Sequence, residues 1–249
     1  MLNLVICELL KLRRSKMLLI SFLGALVSPV LMFANGVRSH YSRPDMVVKL
    51  ENFYGSSMLY SMLMFSLIVY VVIAAFLFSR EYAEKTLKTI ITAPVSKGRF
   101  INAKFITLFI LIIVLSLVSW AAIYALAALY HYLFGLAEFN VSVVMNYLGK
   151  MILSGMLMFM TISPFVFLSL WTKGLVVPVI SAAAVAMGNV MLSYERLGAF
   201  YPWTASYLLI SGEITATGYP VPLAISLVAA VSILGFLASV IYFKAEDIR

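Results

Sequence analysis

The chain has 249 residues, of which 63% are hydrophobic and only 11% charged, with a mean hydropathy of +1.05. Soluble domains carry about 25% charged residues, so a water-covered globular fold is excluded and an integral membrane protein is expected. The formal net charge of +8 belongs to basic residues that flank apolar runs and form no separate domain or tail, which argues against nucleic-acid binding and for membrane flanks.

In residues 1–16, Leu2, Val5, Ile6, Leu9 and Leu12 recur at helical spacing, with Asn3, Glu8, Lys11 and Arg14 largely on the other face. This pattern predicts a helix lying in the membrane interface. The simpler alternative is a basic flank anchoring the first span. Cys7 is the only cysteine, so no intrachain disulfide can form. The first apolar run lacks a small-residue cleavage site and is expected to be retained as a span.

A membrane-crossing helix needs about 20 apolar residues. Six stretches qualify: 17–33, 55–79, 105–130, 151–171, 174–193 and 221–243. The fourth and fifth are separated only by Thr172 and Lys173, which predicts a tight hairpin. Placing both termini inside puts Lys11, Arg13, Arg14, Lys16, Lys173, Lys244, Arg249 and the six basic residues of 80–104 on the inner side. Only Arg38, Arg43, Lys49, Lys150 and Arg196 then fall outside, so the positive-inside bias predicts cytoplasmic termini. On the outer side, 194–220 is rich in aromatic residues. Its part 199–211 is too short to cross and too apolar for a solvated loop, which predicts a re-entrant or interfacial helix pair broken near Pro202 and Gly212. An aromatic belt at the headgroups accounts for many of the same rings.

The six stretches contain no Asp, Glu, Lys, Arg or His. Ion-coupled carriers keep such groups at mid-membrane depth, so a secondary transporter, proton pump or charge-lined channel is disfavoured. Asn189 is the most conspicuous polar side chain in a span, either a helix-to-helix tie or a point on a substrate path. Met62, Met64, Met156, Met158 and Met160 offer adaptable apolar surface, as core filler or as cavity lining. His40 and His131 are isolated, and there is no HExxH, Cys cluster, GxSxG or GxxxxGK[ST]. Metal chemistry, hydrolase chemistry and phosphate-loop ATP binding by this chain are therefore unsupported.

The segment 80–104 carries Arg80, Lys85, Lys88, Lys97, Arg99 and Lys104 with Glu81 and Glu84, interrupted by Pro94. It reads as a short amphipathic helix, a proline stop and a helix start capped by Ser96. Phe78-Ser79-Arg80-Glu81-Tyr82-Ala83-Glu84-Lys85-Thr86-Leu87-Lys88, followed by Thr92-Ala93-Pro94-Val95-Ser96-Lys97-Gly98-Arg99-Phe100, resembles the cytoplasmic loop of type-2 ATP-binding-cassette (ABC) transporter permeases. That family has E-x-x-x-(G/K)-T-L followed by (S/A)-P-(V/I)-S-(R/K). The whole layout is similar too, including the charged tail Lys244-Ala245-Glu246-Asp247-Ile248. Within the family, the short chain and Leu10-Lys11-Leu12-Arg13-Arg14-Ser15-Lys16 most resemble the bacitracin and lantibiotic self-protection permeases.

The resemblance implies an all-α integral membrane permease without enzymatic activity of its own. It has an N-terminal interfacial helix, six transmembrane helices, a coupling helix between spans two and three, and a re-entrant outer region. Glu81, Ala83, Glu84, Lys85, Leu87, Lys88, Ile90 and Ile91 would seat that coupling helix in a groove of a separate ATPase subunit. ATP and Mg would be bound by that subunit, with no cofactor on this chain. Two ATPase copies and a second permease chain, the same or different, would complete the pump in the plasma membrane of a bacterium. The cargo implied is an amphipathic or lipid-associated compound such as a peptide antibiotic, with Asn189, Tyr201, Trp203 and Tyr207 as candidates along its path. A sensing membrane protein without transport, or an exporter of another hydrophobic or ionic substrate, is the alternative.

Overall fold

Backbone groups surrounded by apolar side chains or lipid must be satisfied within the chain, which favours helix. The computed structural model describes residues 1–42, 49–86, 96–135 and 140–246, and among these no strand forms. The helices are α1 (Leu2–Arg13), α2 (Lys16–Ser42), α3 (Leu50–Ala83), α4 (Lys97–Phe134), α5 (Val141–Thr172), α6 (Val176–Leu192), α7 (Pro202–Ser211) and α8 (Val221–Ala245). Short 3₁₀ turns at Arg196–Phe200 and Glu213–Thr217 flank α7. Five helices (α2, α3, α4, α5 and α8) are long and apolar enough to cross a membrane, which makes this a multi-pass membrane protein. The stretch expected as a fifth span, 174–193, holds α6, a shorter apolar helix whose 17 residues begin at Val176.

Local chemistry sets the ends. The Ser96 hydroxyl accepts from the Arg99 N–H at 3.4 Å and opens α4, as its position before a basic turn predicts. Asn140 caps α5 by accepting from the Ser142 N–H. Lys173 takes a left-handed conformation, φ 52°, and stops α5, so the reversal into α6 is as tight as expected. Pro202 starts α7 and Gly212, at φ 83°, ends it. These are the two breaks read from the sequence. The spans read at 17–33, 55–79 and 105–130 are each carried further by the same helix, so that α2 continues to Ser42 and α3 begins at Leu50.

Lipid tails are as apolar as leucine, so packing and polar contacts hold these helices together rather than exclusion of water. The prolines show how this is arranged. Pro29 deprives the Ala25 carbonyl of its helical donor, and Ser119 of α4 donates to that carbonyl at 2.9 Å. Pro164 does the same to Met160, whose carbonyl accepts from Ser163 at 3.1 Å. α3 is the most enclosed of the long helices and α8 the least. Met62 and Met158 are buried core filler. Near Ser61–Phe65, α3 widens to π geometry, with the Ser66 N–H reaching the Ser61 carbonyl five residues back.

Gly235 of α8 lies against Pro164, where a Cβ would fall 2.5 Å from the Ser163 oxygen and 2.6 Å from the Pro164 nitrogen. Backbone on the far side cannot yield, so Gly235→Ala is expected to destabilise by about 1–3 kcal/mol. Gly149→Ala, which meets nothing within 4 Å, should be neutral or stabilise by up to about 1 kcal/mol. Unfolding of both variants by SDS titration in mixed micelles checks the contrast.

Candidate functional site at the basic end of the bundle

Four residues in the last turns of α3, Leu77, Arg80, Glu81 and Tyr82, are bonded to α1, to α4 and to Glu246 just past α8. Glu81 is buried and accepts from Lys104 of α4 at 2.7 Å. Lys104, also buried, donates to Glu8 of α1 at 3.2 Å and to the Leu77 carbonyl of α3. Lys11 of α1 lies 2.6 Å from Glu8 and 3.6 Å from Glu81. Arg80 donates to the Lys11 carbonyl at 3.2 Å and to Glu84 at 2.7 Å. The Tyr82 hydroxyl donates to Glu246, just past α8, and the other oxygen of Glu246 pairs with Lys173 of the α5–α6 turn at 2.6 Å. Lys97 completes the ring by donating to the Glu246 carbonyl at 2.7 Å.

Charge balance explains why this burial is tolerated. Two carboxylates flank one fully enclosed ammonium, and the half-exposed Lys11 supplies the second cation. Burial pushes the Glu8 carboxyl up, but Lys104 and Lys11 outweigh it and hold Glu8 below the usual carboxylate range. Burial likewise pushes Lys11 down, yet Glu8 and Glu81 hold it above the usual lysine range. Glu8 therefore adds stability that is complete above its ordinary pKa and is lost as pH falls through the lowered one. Lys11 adds stability that is complete below its ordinary pKa and is lost as pH rises through the raised one. Both contributions are present together between the carboxylate and lysine ranges.

Three expectations change here. Glu8, read on the water-facing side of the first helix, points into the bundle, because Val5, Glu8 and Leu12 form the buried face. Leu2 and Ile6, grouped with Val5 in the sequence, face outward instead. Glu81 and Ala83 belong to α3 rather than to a separate helix, and Glu81 is turned away from the surface. Ala83, Glu84 and Lys85 are exposed, with Lys85 left-handed at φ 53°. Leu87, Lys88, Ile90 and Ile91 lie outside the described residues, as does Pro94.

The roles of Glu8, Lys11, Tyr82, Lys104, Lys173 and Glu246 were not read from the sequence. For Lys104 a signal was present. Phe100 and Ile101 lie one turn before it and Phe105 directly after, so a lysine stands on an apolar stripe.

At the opposite end lie Asn189, Tyr201, Trp203 and Tyr207. The Asn189 amide donates to the Leu63 carbonyl in the π turn of α3 at 3.0 Å and accepts from Thr204 of α7 at 3.1 Å. Trp203 donates to the Thr161 carbonyl of α5 at 3.1 Å. The Tyr201 ring packs 5.2 Å from that of Trp203 and its hydroxyl lies against Gly188. Tyr207 is buried. Both ends of the Asn189 amide are thus engaged by the protein's own groups.

Removing Lys104 alone leaves Glu8 and Glu81 enclosed with a deficit of positive charge. Lys104→Met is expected to destabilise by about 3–5 kcal/mol. The double variant Lys104→Met/Glu81→Leu should recover part of that loss, since the pair leaves together. A double-mutant cycle in micelles, read by SDS titration, measures the coupling.

The fold is that of a multi-pass helical membrane protein whose second long helix ends in this network. Residues 4–189 match the family described as ABC-2 family transporter protein, and the chain belongs to that family. It is 31% identical over 206 residues to the bacitracin transport permease protein BCRB of Bacillus licheniformis, a match covering 83% of this chain and 97% of that protein.

Proposed function

We propose that this chain works in the cell membrane of a bacterium as the permease half of an ATP-driven exporter giving resistance to a bacitracin-like peptide antibiotic. The observation that carries the reading is the fastening of the α3 terminus to α1, α4 and the end of α8, and through Glu246 to the α5–α6 turn. A push on the segment that follows α3 acts on all of these elements at once. That segment, 84–96, docks on a separate ATPase through Glu84, Lys85, Leu87, Lys88, Ile90 and Ile91. ATP and Mg are bound by that subunit, and this chain holds no cofactor. Glu81 acts behind the docking surface, as the anchor that passes force to α4.

Six crossings, with α6 as the fifth, and both termini in the cytoplasm are supported by the basic residues gathered at one end of the bundle. Six crossings are half of the usual path, so two permease chains and two ATPase chains form the working unit. An amphipathic cargo is supported by the apolar and aromatic character of the helices and by the name of the bacitracin permease relative. Tyr201, Trp203 and Tyr207 lie at the end where cargo leaves, and Asn189 holds that region to α3.

Cells expressing the chain with an ATPase of this class should tolerate more bacitracin than cells without it. Leu87→Asp should remove that gain and the substrate-stimulated ATPase activity while membrane insertion is unchanged. Full activity in Leu87→Asp would sink the docking assignment. In a chain whose Cys7 is replaced by Ser, a membrane-impermeant thiol reagent applied to intact cells should label Ser39→Cys but not Ser96→Cys. Labelling of Ser96→Cys would overturn the orientation.

A further inference from the structure

A lateral groove opens between α4, α5 and α8, lined by Phe105, Phe159, Ser232, Ile233, Phe236 and Leu237. Its walls are aromatic and aliphatic: Phe105 lies 4.8 Å from Phe236 and 6.5 Å from Phe159, ring centre to ring centre. The hydroxyl of Ser163, which also borders it, is taken up by the carbonyls of Ser232 and Met160. Ile233, Leu237 and Ile241 stand on one exposed stripe of α8, and the next residue on that stripe is Lys244.

α4 and α8 run antiparallel here. Gly98 of α4 sits level with Lys244, whose Cε would be 3.2 Å from a Cβ at that glycine. Phe105 and Leu237 each lie seven residues away from that level, about 10 Å along either helix. The groove is therefore apolar for its length and has an ammonium at one end. That ammonium has no ion pair among the described residues. The nearest acid on its own element, Glu246, is already held by Lys173 and Tyr82, and the other lysine there, Lys97, is bound to the end of α8. Arg99, exposed beside Gly98, adds positive charge.

We propose that this groove binds one anionic phospholipid, its phosphate on Lys244 and one acyl chain along Phe105, Phe236 and Leu237. The depth fits a lipid: the ammonium lies at the polar end of the helices and the groove about 10 Å deeper, where acyl chains begin. The charge fits as well, since the net negative charge of an anionic headgroup matches the exposed Lys244 and Arg99 at that end, and a basic residue near the membrane surface favours anionic lipid by about 1 kcal/mol. A Cβ at Gly98 would need the Lys244 side chain to give way only slightly.

The full-length chain purified in neutral detergent and given equal phosphatidylglycerol and phosphatidylcholine should retain the former about fivefold better, read by native mass spectrometry. Lys244→Gln, at an exposed position, should bring the ratio to about one, and Lys244→Arg should keep it. Ser232→Phe, which fills the groove, should reduce retention of both lipids. Equal retention of the two lipids by the unaltered chain overturns the proposal, and so does an undiminished preference in Lys244→Gln. Displacement of the lipid by glycerol phosphate would show a headgroup site without the groove and also overturns it. In a Cys7→Ser background, crosslinking of Leu237→Cys between two copies in native membranes would assign the groove to a second chain and reject the lipid.

Discussion

The enclosed ammonium of Lys104, held between Glu81 and Glu8, is the constraint on which the basic end of this bundle depends. An ammonium away from water needs more than one partner, because a single carboxylate leaves donors unsatisfied. Lys104 meets this with two carboxylates and a carbonyl drawn from α1 and α3. The position of α1 follows from this demand. A twelve-residue helix with outward-facing Leu2, Ile6 and Leu10 could settle at many angles on a membrane surface. Glu8 gives it one register against α3 and α4.

Neutral contacts join the helices further along the bundle. Ser119 on the Ala25 carbonyl, Ser28 on the Ser57 carbonyl and Tyr70 with Ser116 each link two different helices. Each such bond is worth about 1 kcal/mol, and close approach of small residues such as Gly155 against Ser116 adds packing that lipid cannot match. The proline at position 29 creates one of these links by freeing the carbonyl that Ser119 occupies. A residue that weakens its own helix here strengthens the contact between two helices.

Much of this was legible in the sequence, and the limits have physical causes. Apolar run length marks spanning helices, because bilayer thickness fixes it. The cap at Ser96, the stop after Thr172 and the breaks at Pro202 and Gly212 follow from local backbone chemistry and were read correctly. The network was not legible, because burial of a charge near the end of a span is decided by the neighbour it meets, not by its own stretch of chain. Glu81 has the same local appearance as Glu84, but Glu81 lies on the inner side of α3 and Glu84 just past its end, exposed. The stripe of α1 failed for a related reason. That helix faces both a protein bundle and an apolar surround, so its apolar residues need not share one side.

The two ends of the bundle differ in the kind of joint that holds them. At the basic end the joints are ionic, and breaking one leaves an enclosed charge behind, which costs several kcal/mol. At the other end the joint between α3, α6 and α7 is a neutral amide, Asn189, set between a carbonyl and a hydroxyl. Such a joint can exchange partners for about 1 kcal/mol per bond. It also sits on the π turn at Ser61–Phe65, where the backbone of α3 already departs from ordinary helical pairing. On the proposed reading, a displacement imposed at Ala83 is carried up α3 as a rigid unit as far as Ser66. The chain can then take up the difference at the π turn, while the charges below stay paired. The same reasoning explains why the amide is asparagine and not an acid. A carboxylate at that depth would need a cation, and the opposite end would become as fixed as the basic one.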